Sequence, residues 1–170
     1  MRVVARLNPL LTGFVLSLAV GLWWFPRVLE PRIVQPIAFN HQLHVAEGME
    51  CVDCHESVET QRFAGFPSLG VCLTCHEDPV TDSPEEERIR TYAEAGQEIP
   101  WVRLFQQPRH IYYSHRRHVG IAGLECTRCH GDIGASTAPP VRRPQQLAMD
   151  DCIDCHRESA VRTDCTVCHK

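Results

Sequence analysis

Residues 51–55 read Cys51-Val-Asp-Cys54-His55, and this frame decides how the rest of the chain is read. It recurs as Cys72-Leu-Thr-Cys75-His76, Cys126-Thr-Arg-Cys129-His130, Cys152-Ile-Asp-Cys155-His156 and Cys165-Thr-Val-Cys168-His169. The chain has 10 cysteines, and the five frames use all of them. Cys-x-x-Cys pairs also occur in zinc ribbons, redox dithiols and disulfide frameworks, none of which requires histidine directly after the second cysteine. With 10 histidines in 170 residues, chance would satisfy all five frames on the order of once in a million.

Cys-x-x-Cys-His is the attachment frame of c-type haem. Two thiols three positions apart on one helical turn reach the two vinyl groups of a porphyrin, and the next residue's imidazole comes under the iron. The sequence therefore predicts five covalently bound haem c groups. Cys51, Cys54, Cys72, Cys75, Cys126, Cys129, Cys152, Cys155, Cys165 and Cys168 form the thioethers. His55, His76, His130, His156 and His169 are the proximal ligands.

Five histidines remain, one for each frame: His41, His44, His110, His115 and His118. Four of them lie in Phe39-Asn-His41-Gln-Leu-His44 and Tyr113-Ser-His115-Arg-Arg-His118. Two histidines three residues apart share one face of a helix or turn and can point to two different irons. The count predicts bis-histidine ligation throughout. The alternatives are surface histidines, or a sixth ligand from Met49 or Met149, each close to a frame. A doubly ligated iron has no open position, and no frame carries lysine in place of histidine. The pattern favours electron transfer and predicts no catalytic centre.

Around these frames the chain divides into five parts. Residues 1–26 hold an apolar run behind Arg2 and Arg6, the charge pattern that keeps an N-terminus cytoplasmic. Its uninterrupted part, Leu10 to Phe25, is short of the ~20 residues of a typical spanning helix. With Trp23, Trp24 and Phe25 at the far end, it is read as an uncleaved transmembrane anchor. A cleavable signal peptide is the competing reading. Either reading exports the remainder, as attachment of c-type haem in bacteria requires, and predicts a haem domain on the periplasmic side of the bacterial cytoplasmic membrane. Residues 27–40, with Pro31 and Pro36, form a linker. Residues 41–82 form a two-haem module, 83–100 a helical spacer and 101–170 a three-haem module.

Ser83-Pro84-Glu85-Glu86-Glu87 is a helix start, with a capping hydroxyl, proline at the first helical position and three acids at the positive end of the dipole. The helix is expected over 84–95, ending at Gly96. The two histidine-rich segments, each followed by a Glu-Cys frame (Glu50-Cys51, Glu125-Cys126), read as an internal repeat. Strand signals are poor. The expected fold is mostly irregular, with short α-helices around a haem-packed core, plus one N-terminal transmembrane helix.

Lysine occurs once, at Lys170, and the net charge is -4. This excludes a lysine-rich nucleic-acid binder. Charge is unevenly divided: residues 41–100 carry 13 acidic and 3 basic side chains, whereas residues 101–170 carry 7 and 10. The acidic module either steers a cationic redox partner or is a solvated face. Arg103, Arg109, Arg116, Arg117 and Arg128 are candidates to pair with haem propionates.

The Phe-x-His-x-x-His segment followed by Cys-x-x-Cys-His resembles the class III multihaem cytochromes. Gln35-Pro-Ile-Ala-Phe-Asn-His-Gln-Leu-His44, Ile99-Pro-Trp-Val-Arg103, His110-Ile-Tyr-Tyr-Ser-His115-Arg-Arg-His118-Val and Cys152-Ile-Asp-Cys-His-Arg157 resemble more closely two related multihaem subunits. These are the membrane-anchored pentahaem subunit of alternative complex III and the multihaem subunit of menaquinone reductase complexes. The resemblance implies a subunit of a quinol-oxidising respiratory complex. Its partners would be an iron–sulfur/molybdopterin-like subunit and integral membrane quinol-binding subunits, with a cytochrome c or an oxidase as acceptor. By the same analogy His41 serves the haem of His55 and His115 that of His130. His44 and His118 would serve other haems, with those of His76 and His156 as candidates, and His110 would be left for that of His169; the sequence does not fix these three pairings. A stand-alone membrane quinol dehydrogenase feeding periplasmic reductases is the second reading, and a zinc-stabilised binding protein the third.

Overall fold

The computed structural model describes residues 8–29, 32–143 and 147–170. The chain separates into two compact units, Met1–Arg32 and Ile33–Lys170.

The first unit is one helix, α1, Pro9–Leu29. Asn8 opens it, its side-chain oxygen accepting the Leu10 N–H at 3.1 Å, with proline at the first helical position, where its missing N–H costs nothing. Large apolar side chains stand exposed on every side of it, among them Leu10, Phe14, Leu22 and Phe25. Among the described residues no helix is long and apolar enough to cross a membrane, which corrects the expected transmembrane helix. The stretch free of charge and proline, Leu10 to Phe25, is 16 residues and includes Thr12 and Ser17, short of the ~20 predominantly apolar residues of a typical spanning helix.

The second unit has no strand among its described residues, only an isolated antiparallel bridge between Ile111 and His169. Its helices are short, and five of them carry the frames. They are α2 His41–Ala46, α3 Cys51–Cys54, α4 Leu69–His76, α5 Pro84–Glu94, α6 Thr127–His130, α7 Met149–Glu158 and α8 Cys165–Cys168. A π-helical turn, Arg116–Ile121, and a 3₁₀ turn, Ile133–Ala135, complete the order.

The buried core is small: Ile37, Leu69, Ile89 and Ile99 pack together, with Trp101, Tyr92 and Leu73 against them. Helix α5 begins as its sequence requires, Ser83 Oγ accepting the Glu85 N–H at 3.3 Å. It ends at Glu94, one residue before the expected end, with Ala95 as its C-cap and Gly96 beyond it at φ +61°. The helix packs on α4 and supplies Ile89 to the core.

Several acids of residues 41–100 cap backbone donors. Glu85 accepts from Ala38 N–H at 2.6 Å, Glu98 from Leu69 N–H at 2.7 Å and Asp53 from Glu50 N–H at 2.7 Å. Part of the negative charge of this stretch is thus spent inside the fold.

The two histidine-rich segments are tied into the rest of the unit by backbone bonds. Gln42 N–H donates to Ser136 O at 3.0 Å, His115 N–H to Arg62 O at 3.0 Å and Arg116 N–H to Gln61 O at 3.0 Å. Arg62 clamps the second segment from the side, donating to Tyr113 O and Ile111 O, both at 2.9 Å. Gly120 meets the backbone of the same loop so closely that a Cβ would collide with Glu59 O.

Candidate functional site

The ten cysteines form no disulfides with one another, and none is fully buried. The two cysteines of each frame lie on or beside a single short helix, one turn apart. Burial pushes the thiols of Cys54, Cys72, Cys126, Cys129 and Cys152 above their ordinary pKa. They are neutral at neutral pH, unlike the activated thiolates of redox dithiols. Among the described residues no three of His, Cys, Asp and Glu converge on a point where a bare metal ion would sit.

The histidines converge in twos. Ring centroids are 6.2 Å apart for His44 and His76, 6.3 Å for His115 and His130, 6.1 Å for His118 and His156, and 5.6 Å for His110 and His169. An imidazole bonded to a metal at ~2 Å, with a ring radius of ~1.1 Å, puts two rings on opposite faces of one ion roughly 6.2 Å apart. Three pairs have that separation and the fourth is slightly closer. In each pair one histidine ends a Cys-x-x-Cys-His frame and the other comes from the spare set. His41 and His55 are neighbours too. The pKa of His41 is lowered chiefly by burial and then by the charges of His55 and His44. Burial likewise lowers His115 and His130, so these imidazoles are neutral, as ligands must be.

Ring orientation is fixed from behind. Nδ1 of His44 faces Asn40 O at 2.8 Å, His118 faces Ser114 O at 2.8 Å, His55 faces Gly65 O at 3.1 Å, His115 faces Arg62 O at 3.2 Å and His156 faces Arg162 O at 3.1 Å. A carbonyl can only accept, so Nδ1 carries the proton and Nε2 is left with its lone pair. His41 Nδ1 has Ser136 Oγ at 3.2 Å. His76 differs: its Nδ1 is buried without a hydrogen bond, 3.5 Å from Glu86 Oε2. His110 is held opposite His169 by backbone, Lys170 N–H donating to His110 O at 2.9 Å and Tyr112 N–H to Cys168 O at 2.7 Å.

The repeat is visible in side-chain geometry. Phe39 lies edge-on to His41 at 4.8 Å and stacks on His44 at 4.3 Å. Tyr113 lies edge-on to His115 at 5.0 Å and stacks on His118 at 4.8 Å. Each aromatic ring thus separates two imidazoles that belong to different frames. Burial, and then the Cys129 and Cys152 thiols, push the Tyr113 phenol up to about 12, so it stays neutral.

Cysteines of different frames come close enough to influence one another. After burial, the largest influence on Cys72 is Cys54, on Cys126 is Cys51, on Cys129 is Cys155 and on Cys152 is Cys168. Arg128 Nη2 lies 3.9 Å from Cys155 Sγ.

Comparison with known proteins agrees with this geometry. Residues 25–98 match the class III cytochrome C family, and residues 111–170 match cytochrome c7 and related cytochrome c. The chain is 33% identical over 188 residues to the menaquinone reductase multihaem cytochrome c subunit of Nitratidesulfovibrio vulgaris, covering 95% of this chain and 89% of that one. The chain belongs to the class III multihaem c-type cytochromes.

Some residues that shape the site in this cytochrome gave no signal in the sequence. The carbonyls of Asn40, Gly65, Ser114 and Arg162 act through backbone, which residue type does not encode. Phe105, edge-on to His130 at 4.6 Å, lies far from its frame in sequence. Arg62 reads as an ordinary surface arginine, yet it holds the Tyr113 segment. Of the arginines expected to meet propionates, Arg128 pairs with Glu158 at 3.3 Å and Arg103 stands 5.1 Å from the Phe63 ring centre. Met149 is 61% exposed at the start of α7, a poor position for an axial ligand.

Proposed function

We propose that this cytochrome is the pentahaem electron-transfer subunit of a membrane quinol-oxidising complex of the alternative complex III kind. It receives electrons from an iron–sulfur subunit and passes them to a downstream cytochrome c or oxidase. The observation that carries the reading is the pairing of frame histidines with spare histidines at 5.6–6.3 Å. Haem bound in each frame would supply a one-electron couple, held by one frame histidine and one spare histidine, which would leave no site for a substrate. The protein's own residues do the rest. The frame cysteines would fix the porphyrin, carbonyls facing Nδ1 hold His44, His55, His115, His118 and His156 in one tautomer, and Phe39 and Tyr113 exclude water between adjacent ligands.

Helix α1, with large apolar side chains exposed, supports attachment to the membrane, with the remainder on the periplasmic side where c-type haem is attached. The relative's name, a subunit of menaquinone reductase, supports a quinol-linked complex. Purification of the tagged chain from detergent-solubilised membranes tests this. An iron–sulfur subunit and integral membrane subunits are expected to co-purify, and added quinol to reduce the haems of that complex. A chain that purifies alone and oxidises quinol by itself would favour the stand-alone dehydrogenase.

A further inference from the structure

Glu86 is the most buried charged side chain described, 5% exposed. It stands in the first turn of α5, where the sequence suggests only an acid favourable to the helix dipole. Its oxygens are instead turned to the loop before the helix. Oε2 accepts from Val80 N–H at 2.8 Å, and Oε1 from Thr81 N–H at 3.1 Å and from Thr81 Oγ1 at 2.5 Å. These donors hold the carboxylate far below its usual pKa, at about 2, the Thr81 hydroxyl contributing most. Oε2 also lies 3.5 Å from His76 Nδ1, the buried ring nitrogen that has no other partner. Among the described residues the other histidines whose Nδ1 makes a hydrogen bond use a carbonyl or a hydroxyl.

We propose that Glu86 is the anionic acceptor for the His76 Nδ1–H when Nε2 is bound to haem iron, and that this makes the His76 haem the lowest in potential of the five. The proposal rests on the haem reading above. The carboxylate is clamped by the Val80 and Thr81 donors, so the 3.5 Å gap closes to a hydrogen bond by a small movement of the ring. A charged acceptor draws the proton further than a neutral carbonyl does. The imidazole gains imidazolate character, donates more strongly and favours the oxidised iron. The nearby negative charge acts in the same direction. Glu86 is therefore a positioning and tuning residue rather than a ligand.

The test is Glu86→Gln in the full chain, with haem counted by intact mass before a potentiometric titration. Glutamine keeps one oxygen for the Val80 and Thr81 donors and loses the charge. The expected result is five haems, with the lowest midpoint raised by at least tenfold in its equilibrium constant, ~59 mV for one electron, and the other four unmoved. The electron paramagnetic resonance signal of that haem alone should shift. Thr81→Val, which removes one clamp and keeps the carboxylate, controls for misfolding: it should leave the lowest midpoint within half of that shift. Five haems with an unchanged titration would overturn the role of Glu86 and leave the haem reading intact. A chain carrying no haem would overturn the haem reading itself. Equal shifts in both variants would make the effect structural and also overturn the role.

Discussion

The imidazole rings of His115 and His130 lie 6.3 Å apart and within 9° of parallel, although 15 residues of chain separate them. The separation suits one metal ion held between them, and each ring is oriented by a different part of the fold. His115 is set by the Arg62 carbonyl, and His130 ends α6 with Phe105 against its edge.

Replacing His115 by Ala should open one haem. The expected variant keeps five haems, shows one high-spin centre and binds carbon monoxide at one haem in five, while the other four stay closed. The carbon monoxide difference spectrum of the reduced protein measures this. An unchanged spectrum would mean that His115 is not a ligand, and Met49 would become the residue to test.

The chain without haem should not fold. The described residues hold five buried apolar side chains: Ile37, Val58, Leu69, Ile89 and Ile99. Each is worth ~1.5–3 kcal/mol, whereas ordering each residue's backbone costs ~1–2 kcal/mol. Expression without cytochrome c maturation should give a chain with no cooperative thermal transition by circular dichroism. A sharp melt would contradict the haem-packed core.

Gly120→Ala should weaken the protein, although Gly120 is not itself a ligand. The added Cβ meets Glu59 O, a backbone atom that cannot rotate away, so the π-helical turn must shift. Overpacking of this kind costs ~1–3 kcal/mol. Guanidinium unfolding of the haem-loaded protein should have a lower midpoint, with five haems still present by mass. A midpoint equal to that of the unmodified protein would contradict the close approach.

Denaturing intact mass of the purified chain should give the polypeptide plus five haems, since thioether bonds survive unfolding. It also reads the N-terminus: retention of residues 1–26 fits a membrane-attached α1, and loss of them fits a cleaved signal peptide. A gain of any other number of haems would contradict the count from the frames.

The attachment frames and the spare histidines were legible because their chemistry depends on residue type at fixed local spacing. Helix α5 was legible to within a residue because Ser83, Pro84 and Gly96 act locally. The carbonyl partners of Nδ1 were not legible, since every residue offers the same oxygen. Glu86 read as a dipole-favouring acid, because nothing local indicates that it turns back toward Thr81 and His76. The N-terminal helix was legible as a helix, but among the described residues no helix is long and apolar enough to cross a membrane.

The central claim is that five irons are each closed by two histidines. The most direct test is carbon monoxide titration of the reduced, unmodified full chain at neutral pH. The account predicts a low-spin spectrum that carbon monoxide leaves almost unchanged. One equivalent of carbon monoxide bound per chain would contradict it and return a catalytic role to one of the haems.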